Sequence, residues 1–205
     1  MTIYGTEIVR KCLQSAFPVF PMLKNYCSWE WQSLHPDLRQ PVGTLGKGTE
    51  GAIVVETVPV SRKPPLYTQV NKGDDCPEDF WEVGLIFYNE SSGRCLAYFP
   101  TLINITPAIE ACLRKADILM VDGTFWSADE LVEMGATDRN AGSMGHLPIS
   151  GPSGIAEKLA SFPAERKILI HINNSNPILN KDSKERDTLE QLGFEIAYDG
   201  MEVEV

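Results

Sequence analysis

The sequence contains no apolar run that approaches the about 18 residues a membrane helix needs, so we expect no membrane span. It also lacks a stripe of basic residues: 18 Lys and Arg stand against 28 Asp and Glu, and the formal net charge is -10 at pH 7. An acidic surface repels phosphate backbones, so we expect no nucleic-acid partner. The first residues carry charges where a secretory signal needs an apolar core, and we therefore expect a cytoplasmic protein.

Histidine and paired cysteine are equally scarce. The five cysteines are widely spaced and none forms a Cys-x-x-Cys pair, which excludes a zinc ribbon and favours reduced thiols. Histidine occurs three times, at positions 35, 146 and 171, so any imidazole chemistry depends on these residues. His35 has no supporting pattern, and we assign it to the surface or to structure.

The first half of the chain predicts a helix followed by antiparallel strands. Apolar residues recur at helical spacing over 8–16, and the prolines at positions 18 and 21 are expected to end that helix. Residues 22–50 are rich in Pro and Gly and predict an irregular loop or an insertion. Residues 52–60 predict a strand, and 81–99 predict a hairpin whose turn lies at 89–93.

The second half predicts helix–strand units and a closing hairpin. The apolar run 118–121 is too short for a helix and predicts a buried strand, and residues 167–172 (KILIHI) predict a second buried strand. Local signals set the remaining elements: helix caps at Thr106, Ser153 and Asp182, and a hairpin turn at Asp199-Gly200. Strands that alternate with helices in this way predict an α/β domain with mixed sheets.

Three polar residues lie where packing alone would not place them. Asp122 follows the apolar run 118–121, and strand ends are where α/β sheets bind ligands. His171 lies near the end of the next strand, and His146 lies in a glycine-flanked loop. Each also has an ordinary explanation: a turn cap, a backbone-bonded imidazole and a solvated loop residue, respectively. Together they form a donor set that suits a first-row metal such as iron(II).

The phrases VDGTFW, MGHLPISG, HINNSNPIL and AYDGMEVEV occur in this order, after FPVFPMLKNY and a KPPLY segment. With these motifs the chain resembles the pyrroloquinoline quinone (PQQ) biosynthesis protein B family of the metallo-β-lactamase superfamily. The resemblance implies an α/β fold, a sandwich of two mixed β-sheets with outer helices. It also implies that residues 1–205 form one domain equivalent to the carboxyl-terminal portion of the family.

The resemblance assigns roles to individual residues. It implies metal ligands at Asp122 and His171 and a catalytic, proton-transferring His146. We add Asn173 and Trp126 as predicted substrate contacts, because both lie next to these positions in the sequence. The expected metal is iron(II) or zinc, as one or two ions.

Members of the family begin with a strand, a cysteine cluster that holds zinc, and an Asp-His-x-x-Gly motif that supplies further metal ligands. These features are absent from the 205 residues, so we expect an N-terminally incomplete metal site. A mis-called start codon, a true truncation and a split protein would each explain the difference.

The resemblance implies a role in PQQ biosynthesis and leaves the chemistry open between two classes. As an enzyme, the protein would hydroxylate a tyrosine-derived, dipeptide-like precursor with iron and dioxygen, or it would act as a metal-dependent hydrolase. As an accessory protein, it would bind PQQ or its precursor and transport it towards the periplasm. The expected partners are this small molecule, other PQQ biosynthesis proteins and a second copy in a homodimer.

Overall fold

A computed structural model describes residues 1–36, 38–42, 53–65, 68 and 80–205. The strands of these residues are β1 (Thr2–Gly5), β2 (Glu30–Ser33), β3 (Arg39–Pro41), β4 (Ile53–Ser61), β5 (Glu82–Asn89), β6 (Cys95–Phe99), β7 (Ile118–Asp122), β8 (Arg166–Ile170) and β9 (Phe194–Ile196). The α-helices are α1 (Glu7–Gln14), α2 (Val19–Leu23), α3 (Pro107–Lys115), α4 (Glu130–Glu133), α5 (Ala141–Met144), α6 (Ala156–Ala160) and α7 (Lys184–Gln191), and Pro177–Leu179 form a 3-10 turn.

Seven strands form one mixed sheet in the order β3-β4-β5-β6-β7-β8-β9, and β1 pairs with β2 in a separate parallel pair. The neighbours from β3 to β6 are antiparallel, whereas those from β6 to β9 are parallel. The carboxyl ends of β6 to β9 therefore meet at one edge of the sheet. Asp122 pairs in register with Ile170 at this edge, which places the loops after β7 and β8 side by side.

The two faces of the large sheet are covered differently. On the first face, leucines of β7 and β8 pack against leucines of α3, α6 and α7: Leu113, Leu119, Leu159, Leu169 and Leu189, all with 0% exposure. Each such side chain contributes roughly 1.5–3 kcal/mol relative to an exposed one. On the second face, Leu96, Ile118, Ile168 and Ile170 pack against side chains of the last five residues.

Several predicted elements are confirmed. Strand β4 starts at Ile53, with Ala52 outside the described residues, and β5 and β6 form the predicted hairpin. Thr106 caps α3, because its side-chain oxygen accepts a hydrogen bond from the Ile109 N–H at 3.2 Å, and Pro107 occupies the first helical position. The predicted strand at 118–121 is β7, extended by one residue to Asp122.

The predicted irregular stretch at 22–50 is wrong for two of its segments, which form β2 and β3; residues 43–50 lie outside the description. Strand β2 is defined by its partner β1, which the sequence did not predict. A Cβ on Gly5 would lie 2.7 Å from the Trp31 ring, so this pairing depends on a glycine. Pro21 lies inside the short helix α2 and does not end a helix.

Two predicted helix caps are also wrong. Ile155, not Ser153, precedes α6, and no side-chain cap bond forms there, because residues 151–154 bend through a tight turn. Helix α7 is capped by Ser183, whose oxygen accepts a bond from the Arg186 N–H at 3.2 Å, one residue after the predicted Asp182.

The predicted closing hairpin is wrong beyond its turn. The Met201 N–H does bond the Tyr198 carbonyl at 3.0 Å, but the described residues after Gly200 form no strand. Met201, Val203 and Val205 instead cover the second face of the sheet. Burial of these side chains outweighs a local pairing that would have left one face of a hairpin in water.

None of the helices within the described ranges is long and apolar enough to cross a membrane.

Candidate metal centre

Asp122, His146 and His171 meet at the carboxyl edge of the sheet. Each offers one ligand atom, and these atoms all lie within 4.8 Å of one another. Asp122 ends β7, and His171 directly follows β8, the parallel neighbour of β7. His146 follows helix α5 and is separated from it by Gly145. The φ of Gly145 is 98°, a left-handed backbone conformation that favours glycine.

Asp122 is fully buried, and both of its oxygens have partners in the protein. Oδ2 accepts a hydrogen bond from the Leu102 N–H at 2.9 Å and lies 2.8 Å from His146 Nδ1. Oδ1 accepts from the Thr124 N–H at 3.1 Å and lies 2.6 Å from Thr124 Oγ1. A carboxylate without these donors would be costly at 0% exposure, so the loops around it are arranged to hold it.

Thr124, which was not predicted from the sequence, lies at the middle of the cluster. Its Oγ1 is 2.8 Å from His171 Nδ1 and 3.2 Å from His146 Nδ1, and it also reaches the His171 carbonyl at 2.9 Å. One hydroxyl therefore joins the carboxylate to both imidazoles. In the sequence, Thr124 lies two residues after an aspartate, which is the spacing of an Asx-type turn. That spacing does not predict a contact with either histidine.

His171 has an unusual backbone. Among the described residues other than glycine, it alone has a positive φ, at 55°. Left-handed backbone costs a non-glycine residue roughly 1–2 kcal/mol and persists only where its surroundings enforce it. Here the Gly123 N–H bonds the Ile170 carbonyl at 2.8 Å and the Asn173 N–H bonds the Thr124 carbonyl at 3.2 Å, which fixes the chain on both sides of His171.

His146 is more enclosed than His171. Its side chain is 13% exposed, its ring stacks on that of His171 with centroids 5.3 Å apart, and the ring edge of Phe125 is close by, at 5.8 Å between centroids. The bond from Nδ1 to Asp122 orients the ring. When Nδ1 carries the proton, Nε2 is the basic nitrogen.

Two further buried side chains hold the loops together. Glu130 accepts bonds from the Trp126 N–H, at 2.6 Å, and from the Ser175 hydroxyl, so it joins the loop after β7 to the loop after β8. The Asn176 amide, 2% exposed, donates to the Gly123 carbonyl at 2.9 Å across the same two loops. Neither residue could be predicted from the sequence, because neither has a pattern of its own.

Asn173 and Trp126 lie in these two loops, and neither is a member of the three-residue cluster. The Asn173 amide donates to Ser175 Oγ at 2.6 Å, and the half-buried Trp126 packs against the core of the first sheet face. Their predicted contacts with a substrate stay predictions. His35, expected to be structural or on the surface, is exposed and lies outside the cluster.

The donor set of the cluster fits a transition-metal ion. Two imidazole nitrogens and a carboxylate oxygen are ligands that zinc and iron(II) accept. Atoms bound to one ion at about 2.1 Å lie roughly 3–4 Å apart, so the observed spacing needs only a small contraction. Because both Asp122 oxygens already have protein partners, an ion would take the place of the Thr124 hydroxyl, which has the His171 carbonyl as another acceptor.

The fold and this edge cluster define a class of protein. A family model described as the β-lactamase superfamily domain matches residues 1–172, and the chain belongs to that superfamily. The expected metallo-β-lactamase-like α/β fold is thereby confirmed.

The chain is 41% identical over 203 residues to coenzyme PQQ synthesis protein B of Methylococcus capsulatus, covering 99% of this chain and 64% of that protein. It is 40% identical over 204 residues to the protein of the same name from Cupriavidus taiwanensis, again covering 99% and 64%. The resemblance to PQQ biosynthesis protein B is therefore confirmed, and the chain spans just under two thirds of the length of these relatives.

A solved structure supports the same fold. The crystal structure of zinc-bound PqqB from Methylobacterium extorquens matches with a TM-score of 0.75 at 24% identity, over 100% of this chain and 62% of that one. At this identity the match speaks for the fold alone.

Proposed function

We propose that the chain takes part in the biosynthesis of PQQ as a metal-dependent hydroxylase of a tyrosine-derived precursor. The single observation that carries the chemistry is the cluster of Asp122, His146 and His171 within 4.8 Å, on loops that buried side chains hold in place. The two named relatives, at 41% and 40% identity, support the pathway. The M. extorquens protein of the same fold binds zinc, which supports a metal ion for this chain as well.

Asp122 and His171 would hold the ion. The Thr124 N–H would still orient the Asp122 carboxylate after the ion had taken the place of the Thr124 hydroxyl. When bound, iron would activate dioxygen and zinc would act as a Lewis acid, and iron is the metal that hydroxylation requires. Because His171 is exposed, an ion held there would be accessible to substrate.

His146 would hold and move the proton. Its Nδ1 lies 2.8 Å from Asp122 Oδ2, an arrangement that fixes the tautomer and leaves Nε2 free to accept a proton from a phenol. Phe125, which meets the His146 ring edge-on, limits the access of water to that side of the imidazole.

The test begins with metal content. After equilibration with Fe(II) under argon, or with Zn(II), the protein is expected to retain metal, and His171→Ala is expected to lose it. His35→Ala, an exposed histidine outside the cluster, is the matched control. Equal metal content in His171→Ala and wild type would contradict the assignment.

Turnover is the second stage. With iron, dioxygen, ascorbate as a two-electron reductant and a tyrosine-containing dipeptide, one oxygen atom would enter the ring and the other would leave as water. Mass spectrometry is expected to detect this hydroxylated product, which His146→Ala forms much more slowly. A product that forms at the same rate without iron, or at the wild-type rate in His146→Ala, would refute the hydroxylase.

A second candidate is an accessory protein that binds PQQ or its precursor without chemistry. The observation that favours it is the saturation of both Asp122 oxygens by protein partners, which leaves a weaker ligand for an ion. Binding of PQQ that is unchanged by chelator and by His171→Ala would support the accessory and argue against the hydroxylase.

A further inference from the structure

A cleft of about 410 Å³ opens beside the metal centre. Two residues in its lining, Ile103 and Gly145, are adjacent in sequence to Leu102 and His146, which both contact Asp122. A ligand in the cleft would therefore contact the direct sequence neighbours of two residues that contact Asp122. The volume is in the range of small-molecule sites.

Two cations converge in this cleft. Lys63 Nζ and an Arg139 guanidinium nitrogen both donate to the Ser143 carbonyl, at 3.1 Å and 2.8 Å. Since they share one acceptor, the two nitrogens lie no more than about 6 Å apart. Both side chains are exposed, so their remaining donors are available to a ligand.

No carboxylate neutralises this pair among the ion pairs of the described residues, although Glu82 also lines the cleft. Two cations this close to each other repel. An anion between them would relieve the repulsion. Arginine adds the fork of donors that matches carboxylate and phosphate oxygens.

The remaining lining is largely apolar. Trp81, Met144, Pro64, Pro65 and Ile103 provide walls for a hydrocarbon or aromatic body next to the charged end. The cleft thus pairs one polar anchor with an apolar surface, which is the usual design of a site for a small organic molecule.

We propose that Lys63 and Arg139 form a subsite for the carboxylate or phosphate of a small organic anion, whose apolar body lies along Trp81 towards His146. The existence of the subsite does not depend on the proposed function. Only the identification of this anion as the substrate rests on that function. The subsite deepens that function by assigning the recognition of charge to residues outside the metal cluster.

The test compares three small aromatic compounds of similar size: 4-hydroxyphenylacetate, which carries a carboxylate, phenyl phosphate, which carries a phosphate, and 4-ethylphenol, which is neutral. Binding to the chain is followed by calorimetry and by NMR of the Arg139 Nε–H and Trp81 indole signals. We expect at least one anion to bind at least about 10-fold more tightly than 4-ethylphenol, since two charge-assisted hydrogen bonds distinguish them. The tighter of the two anions identifies the chemical class.

Variants then locate the site. The double variant Lys63→Gln/Arg139→Gln is expected to lose about 10-fold or more in affinity for the anion. The matched control Lys24→Gln/Lys181→Gln, which removes the same charge at exposed positions elsewhere, is expected to bind as wild type does. Equal affinities in the two double variants, or equal affinity of wild type for 4-ethylphenol and both anions, would overturn the proposal.

Metal binding separates this subsite from the metal centre. Lys63→Gln/Arg139→Gln is expected to take up zinc normally, and His171→Ala is expected to lose zinc while still binding the anion. If wild type binds the anion but no metal, the proposed hydroxylase fails and the subsite stands. If it binds metal but no anion, the subsite alone fails.

Discussion

Two aspartates lie at opposite ends of strand β7, and each accepts a backbone hydrogen bond there, with different results. Asp117 precedes the strand and its carboxylate accepts a hydrogen bond from the Cys95 N–H at 2.7 Å. Asp122 ends the strand and accepts from the Leu102 N–H at 2.9 Å. The first bond connects β7 to the start of β6, and the second connects it to the loop that follows β6. Asp117 is half-buried without a histidine in contact, whereas Asp122 is fully buried against His146.

The difference lies in what else arrives at each end of the strand. At the carboxyl end, the loop after β7, the loop after β8 and the turn after α5 converge on one carboxylate. At the other end, the Asp117 carbonyl accepts a bond from the Glu165 N–H at 2.9 Å, and the contact is purely structural. An aspartate at a strand end therefore becomes a candidate metal ligand only where several loops bring donors to it.

The largest expected effect is that of Asp122→Ala. It leaves two N–H groups and an imidazole without their acceptor in the core, and we expect a loss of about 2–4 kcal/mol in the free energy of unfolding. Metal affinity is expected to fall by at least about 100-fold. Urea unfolding and zinc calorimetry measure the two effects.

Asp117→Ala is the matched control, and it removes one backbone contact at a partly exposed site. We expect a loss of about 0.5–1.5 kcal/mol with metal affinity unchanged. A similar loss of metal in both variants would show that the two ends of β7 do not differ as described.

Substitution of His171 is expected to separate backbone strain from metal binding. His171→Gly and His171→Ala both remove the ligand, but glycine accepts the φ of 55° while alanine keeps the Cβ that opposes it. We expect the glycine variant to be more stable than the alanine variant by about 0.5–1 kcal/mol, measured as the difference in urea midpoints at equal slope. An alanine variant as stable as the glycine variant would show that the backbone there relaxes without cost.

Glu130→Gln tests the clamp between the two loops. The glutamine amide has one acceptor oxygen where the carboxylate has two. Its NH2 group would face either the Trp126 N–H or the Ser175 hydroxyl, so one of the two hydrogen bonds weakens. We expect a loss of about 1 kcal/mol in stability and up to about 10-fold in metal affinity. Glu133→Gln, exposed on the same helix α4, is the control and should change neither quantity.

The smallest effect concerns pH and the end of the sheet near Asp117. The Arg166 guanidinium lowers the pKa of Glu195 through paired hydrogen bonds of 2.8 Å and 2.7 Å. The resulting stabilisation is present above the unfolded pKa of Glu, about 4.3, and is lost as pH falls through the lower folded value. With side chains 32% and 40% exposed, it amounts to roughly 0.3–1 kcal/mol.

Arg166→Gln removes this contribution, so its stability deficit should shrink between pH 6 and pH 3 as Glu195 is protonated in both proteins. Urea unfolding across this pH range measures it. A deficit that is constant with pH would mean that the pair contributes nothing electrostatic.

Elements defined by local rules could be predicted from the sequence. Thr106 caps α3 because a threonine before a proline satisfies the first helical N–H groups whatever surrounds it. The run 118–121 becomes a strand because four apolar residues too short for a helix must be buried. The position of Asp122 at the end of that run follows from the same reasoning.

The failures share a long-range cause. β1 and β2 lie 25 residues or more apart in sequence yet define each other by pairing, and the last residues cover a sheet face in preference to forming a hairpin. The spacing of Thr124 from Asp122 says nothing about the histidines, and Glu130 has no local signal, because the roles of both residues depend on the loop after β8. Such contacts cannot be derived from the spacing of neighbouring residues.

The sequence by itself determined which groups are available to this protein: three imidazoles, one aspartate after a buried strand, and motifs that resemble one family. The tertiary structure decided which of them meet. It brought His146 and His171 to Asp122 across gaps of 24 and 49 residues in the chain and left His35 outside the cluster. The physical reason is that parallel pairing of β7 with β8 aligns their carboxyl ends, and a buried carboxylate then requires donors from every loop that reaches this edge.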